Sequence, residues 1–106
     1  MENKNDKTLI GGRWHYQKQE QEGDYWFGGK IYMTANIQTQ IPNHELQAII
    51  LFLKMLALKQ KGLDYLQVFK TNDGTKIFVI DQITRQQIAS SPPDYNHFTI
   101  LFPYEY

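Results

Sequence analysis

Apolar and polar residues first alternate near the start of the chain, where Trp14, His15, Tyr16 and Gln17 show the period of two that marks a half-buried strand. Glu22-Gly23-Asp24 reads as a turn and Tyr25-Trp26-Phe27 as a resumed aromatic run; after Gly28-Gly29, Ile31 and Met33 alternate with Tyr32 and Thr34. The pattern over residues 13–35 predicts two strands joined as a hairpin. The period then changes. Ile41-Pro42 opens a helix, because a proline in the first turn lacks only an N–H that would be unpaired there. Glu45 suits the positive end of the helix dipole, Lys59 and Lys61 suit its negative end, and Gly62 offers a left-handed stop. Leu46, Ile49, Ile50, Leu53 and Ala57 form one apolar stripe, with Phe52, Met55 and Leu56 in a second beside it. That arc is wider than one buried face needs. It fits a helix set into a cleft of sheet and loop, or one that also meets a partner or a second copy.

Beyond the helix, residues 63–70 predict a strand with Leu66 and Val68 on one face and Tyr65, Gln67 and Phe69 on the other. Asn72-Asp73-Gly74 is a tight turn, since Asn and Gly tolerate positive φ. Ile77 to Ile80 are apolar on both faces, which predicts a central strand. Residues 82–96 are polar, contain Ser90-Ser91-Pro92-Pro93, and read as an exposed loop with one helical turn around Arg85. His97 to Phe102 form a last strand that Pro103 ends. Strands outnumber the helix and come in hairpins. The expected fold class is therefore α+β: a small, mainly antiparallel sheet with one long helix packed on one face. Residues 1–8 read as a disordered polar tail and residues 9–106 as a single domain.

Composition narrows the function. Eleven basic residues balance eleven acidic ones, so no field of one sign draws the chain to nucleic acid or membrane. Cysteine is absent, which removes disulfides, thiolate nucleophiles and cysteine-held metals. The longest apolar stretch, 48–58, is broken by Lys54 and is too short for a bilayer. With no apolar leader over residues 1–8, the expected location is the cytoplasm.

No constellation for chemistry emerges. His15, His44 and His97 are never at metal-binding spacing, and Asp94 with His97 gives only two of the three or four ligands that zinc takes. Ser90 and Ser91 lack a nucleophile elbow. Asp64 and Asp81 sit at strand ends, where solvent-facing and turn-capping roles fit equally well. Neither Gly11-Gly12 nor Gly28-Gly29 leads into a phosphate-binding Lys-Ser or Lys-Thr. No catalytic residue, cofactor or metal is expected, and the function class is macromolecule binding. Aromatic residues crowd the two ends of the chain. Those with basic neighbours give the candidate partner-binding set: Arg13, Trp14, Tyr16, Lys18, Trp26 and Lys30.

Four segments carry a resemblance: Ile31-Tyr32-Met33-Thr34, the Ile41-Pro42 helix start, Leu63-Asp64-Tyr65-Leu66-Gln67-Val68-Phe69, and Thr99-Ile100-Leu101-Phe102-Pro103-Tyr104-Glu105-Tyr106. Over residues 30–106 the chain resembles a small uncharacterised family from staphylococci and related Gram-positive bacteria, carried on chromosomal cassettes and other mobile elements. Against that family, residues 9–29 look like an N-terminal extension, and residues 82–96 depart from its pattern. The resemblance implies a mobile-element context and, by analogy with other small proteins of such elements, an anti-defence role. The expectation is an anti-CRISPR-like inhibitor that binds a type II RNA-guided nuclease or blocks its guide-RNA loading. Two alternatives stand beside it. One is a single-stranded nucleic-acid-binding accessory protein for element replication, and the other a regulatory partner that dimerises through the broad helix face. Monomer and dimer are both compatible with the sequence.

Overall fold

Pro42 divides the helical region in two. In the computed structural model, which describes residues 9–106, the elements run β1 (His15–Gln17), β2 (Lys30–Met33), α1 (Ala35–Gln40), α2 (Asn43–Gln60), β3 (Leu66–Lys70), β4 (Lys76–Asp81), α3 (Arg85–Ile88) and β5 (His97–Leu101). The expected tail at 1–8 lies outside the described residues. A proline disfavours α geometry in the residue before it, and Ile41 is accordingly extended, closing α1 with its N–H on the Ile37 carbonyl. Thr34 starts α1 by accepting from the Ile37 N–H at 3.2 Å. This short helix was not predicted, because only Ile37 among its residues is apolar and buried.

The five strands lie in the order β1-β3-β4-β5-β2, in a mixed sheet. Three pairings are antiparallel, but β2 runs parallel to β5. The expected mainly antiparallel sheet is mixed through that one parallel pair, and the expected hairpin over residues 13–35 is replaced: β1 and β2 occupy opposite edges. The Asn72-Asp73-Gly74 turn does join β3 to β4, with the Thr71 N–H on the Thr75 carbonyl at 2.9 Å, and β4 is the central strand.

Side chains directly paired across strands share a face. Phe69 with Ile77, and Val79 with Ile100, point to the side that meets α2, where Leu46, Ile49, Ile50, Leu53 and Ala57 are buried. The wide arc of α2 is resolved by position. Phe52 and Leu56 pack half-buried against the core, whereas Leu51, Met55 and Leu58 are exposed. At the end of α2 the left-handed residue is Lys61, at φ 58°, with Gly62 following at φ 109°. A Cβ on Gly62 would lie 2.6 Å from the Gly23 carbonyl oxygen, so glycine is needed for the close approach of the 23–24 segment.

Residues 9–29 are part of the core. Trp14 and Phe27 are fully buried, and β1 is a sheet strand. The Trp14 indole donates to Glu45 Oε1 at 2.7 Å, and Arg13 Nε reaches the same oxygen at 2.9 Å. Phe27 sits at φ 52°, held from both sides: its N–H donates to Asp81 at 2.8 Å and Lys54 donates to its carbonyl at 3.2 Å. Whatever its standing relative to other proteins, this segment is not an appendage.

Candidate functional site: the open face of the sheet

The face of the sheet away from α2 carries two cross-strand rows that are mostly apolar. Gln17, Val68, Phe78 and Leu101 form one; Leu66, Ile80, Thr99 and Tyr32 form the next. Lys70 and Lys76 stand beyond the first row, and Lys30 with His97 beyond the second. Ile80 and Leu101 are nearly covered, while Val68, Phe78 and Leu66 are half-buried and Tyr32 is 47% exposed. Tyr32 stacks on His97 with ring centroids 4.5 Å apart at 20°. Tyr106 packs edge-on to Phe78 at 6.0 Å, and Tyr65 edge-on to Tyr25 at 6.3 Å. Of these rings Tyr25, Tyr65 and Tyr106 line a cavity of about 410 Å³, together with Ile80 and Leu101.

The cover over this face is the C-terminal turn Pro103–Glu105 and the Tyr106 ring. Glu105 pins that turn, accepting from the Phe102 N–H at 2.8 Å, Thr34 at 2.9 Å and Asn36 at 3.0 Å. These donors, led by the Phe102 N–H, hold its carboxyl below the ordinary glutamate range. Asp81 behaves in the opposite sense: burial pushes its carboxyl up, against the N–H groups of Phe27, Ile83 and Gln82 that favour the ionised form.

The predicted partner-binding residues do not come together. Trp14 is a core residue, so its reading as an exposed anchor is corrected. Tyr16 lies half-buried between Phe52 and Phe69, with its hydroxyl donating to Gln67. Trp26 is also half-buried; it donates to Asp24 at 3.0 Å and is covered by the Arg85 guanidinium at 4.2 Å. Lys18 is exposed just past β1, and Lys30 starts β2 beside Asp94 at 3.8 Å. Four strand spacings, about 19 Å, separate those edges. The candidate residues Arg13, Trp14 and Lys30 therefore share no exposed surface.

What the sequence reading missed is that β4, apolar on both faces, meets a helix on one face only. The signal lay in the C-terminal aromatics, Tyr104 and Tyr106, which are 71% and 70% exposed. Among the described residues no group of three or more His, Cys, Asp or Glu is placed to hold a metal, and no helix is long and apolar enough to cross a membrane. His97 Nδ1 faces the backbone carbonyl of Asp94, not its carboxylate.

Fold and face together define an α+β sandwich whose sheet is open on one side. No protein-family model, curated protein or solved structure matched the chain.

Proposed function

We propose that the protein is a non-enzymatic binding module that docks another protein on the open face of its sheet. In the mobile-element setting that the resemblance implies, it acts as an anti-CRISPR-type inhibitor. Its partner is then a type II RNA-guided nuclease, bound directly or blocked at guide-RNA loading. The carrying observation is the surface of Tyr32, Leu66, Val68, Phe78, Tyr65 and Tyr106 on and beside one face of the sheet. Tyrosines rimming an apolar centre are the composition of protein-interface hot spots, and the net charge of zero gives no general attraction to phosphate.

The test is DNA cleavage by such a nuclease, with the protein added before or after the guide RNA, at several salt concentrations. The expected result is inhibition that varies little with salt and disappears in a Tyr32→Glu, Val68→Glu double variant of unchanged melting temperature. Full cleavage under all conditions removes the nuclease as partner; inhibition by the double variant removes the face as the contact.

One observation favours a second reading, single-stranded nucleic-acid binding. The Tyr32–His97 stack lies beside Lys30 on the same face, as a base-stacking platform requires. That reading predicts affinity for oligonucleotides falling steeply with salt.

A further inference from the structure

Tyr25, Tyr65 and Tyr106 surround one concavity, and their arrangement is more particular than an apolar patch. The Tyr25 and Tyr65 rings stand at 63° to one another with centroids 6.3 Å apart, as adjacent walls of a box. Tyr106 forms a further wall, steadied by Phe78 at 83°. The neighbouring Tyr106 hydroxyl raises the Tyr65 phenol above its ordinary range, as does the negative charge of Asp64. Ile80 and Leu101 give the cavity an apolar floor, and Asp81, Gln82 and Thr99 give it polar edges.

Two features of charge bear on what would enter. No lysine, arginine or histidine lines the cavity. The chain's own cations stack on other rings: Arg13 over Trp14 at 5.2 Å, Lys54 over Phe98 at 5.7 Å and Arg85 over Trp26 at 4.2 Å. Among the described residues none of these cation–ring contacts involves the three tyrosines of the cavity. Tyrosine faces carry negative quadrupole density, and several faces set at an angle attract an alkylammonium group from more than one side. An apolar floor adds favourable contact for the methylenes, or methyls, next to the nitrogen.

The geometry points to a cage for an alkylammonium group, the side chain of a lysine of the partner protein in its free or N-methylated form, seated among Tyr25, Tyr65 and Tyr106. The inference rests on the protein-docking reading above and supplies its anchor. The same rings would receive a neutral side chain of equal shape less well, because the quadrupole gives a neutral group no such attraction.

The experiment is a titration followed by NMR on the whole protein with three probes. They are Nα-acetyl-lysine methylamide, its Nε-trimethyl form, and a neutral isostere in which carbon replaces the charged nitrogen. Resonances of Tyr25, Tyr65 and Tyr106 should move, with the trimethyl form binding about tenfold more tightly than the isostere. Tyr106→Ala should abolish that preference, and Tyr106→Phe, which keeps the ring, should retain it. Equal affinity for charged and neutral probes, shifts centred elsewhere, or no shift with any probe overturns the cage. Nuclease inhibition by Tyr106→Ala separates the two proposals. If it persists while the probes fail, the cage is wrong and the docking face stands; if inhibition also survives the Tyr32→Glu, Val68→Glu variant, the face itself is wrong.

Discussion

Glu45 concentrates several functions in one side chain. It sits in the first turn of α2, only 6% exposed, and its Oε1 accepts from both the Trp14 indole and Arg13. Removing it strands a buried N–H, which costs about 1–3 kcal/mol. Glu45→Ala should lower the unfolding free energy obtained from urea denaturation by that amount, with the Trp14 emission shifting as its environment changes; an unaltered free energy would show the contact to be dispensable. Gly11, at φ 62°, lies so close that a Cβ would meet the Glu45 Cα at 3.0 Å, so the loop seats on the helix only with glycine there. Asp73 governs the acid limb in the turn between β3 and β4. Hydrogen bonds from Thr71, then from the Thr75 N–H and hydroxyl, lower its pKa from 3.8 to about 2. A carboxyl depressed in the folded state contributes stability above the unfolded value and loses it as pH falls through the folded one. Glu105 acts in the same direction, and Asp81, being raised, in the opposite one, its contribution being lost as pH rises through its folded value. Asp73→Asn should therefore flatten the fall of melting temperature between about pH 4 and pH 2, while leaving the slope above pH 6 unchanged.

At the scale of elements, α2 shows how burial, and not hydrophobicity alone, decides what a side chain is worth. Leu53 is 1% exposed and Leu58 is 69% exposed on the same helix. Leu53→Ala should cost about 2–5 kcal/mol because it opens a cavity in the core. Leu58→Ala should stay within about 0.5 kcal/mol, as surface changes do. Chemical denaturation of the two variants side by side makes the comparison, and equal losses would mean that Leu58 is covered in solution. The helix and its limits were legible in the sequence because period, proline and dipole charges agree over residues 41–62. The β3–β4 hairpin was legible for a similar reason, its Asn-Asp-Gly turn lying between an alternating strand and a continuous apolar one. The pairing of β1 and β2 was not. Strand partners far apart in sequence are set by packing, and nothing local in residues 13–35 reports that β2 joins β5 in parallel. Nor could periodicity reveal that the apolar outer face of β4 lacks a helix. A strand apolar on both sides reads as doubly covered, and here the cover is the terminal turn and a ring of tyrosines.

For the whole molecule, the decisive question is whether residues 9–29 belong to the folding unit. The sequence reading sets them apart as an extension, but their side chains occupy the centre. Trp14 and Phe27 are fully buried, and Phe27 meets Phe98 edge-on at 5.7 Å. Gln19 joins the segment to β3 by accepting from the Asp64 N–H and the buried Gln67 amide, both at 2.8 Å. The Tyr25 backbone exchanges hydrogen bonds with Leu63 at 3.0 and 2.8 Å, and that same Tyr25 supplies a wall of the tyrosine cavity. Deleting a buried aromatic costs about 3–5 kcal/mol, and a small domain has about 5–15 kcal/mol in all. Losing two such residues together with an edge strand should therefore exceed what the remainder can hold. A chain starting at Lys30 should show no cooperative thermal transition and should bind none of the ammonium probes, whereas the full chain melts in one step. A truncated chain that melts cooperatively would mean that α2 and the other four strands form a core without Trp14 and Phe27. The scaffold and its binding face would then be separable, which the shared residue Tyr25 argues against.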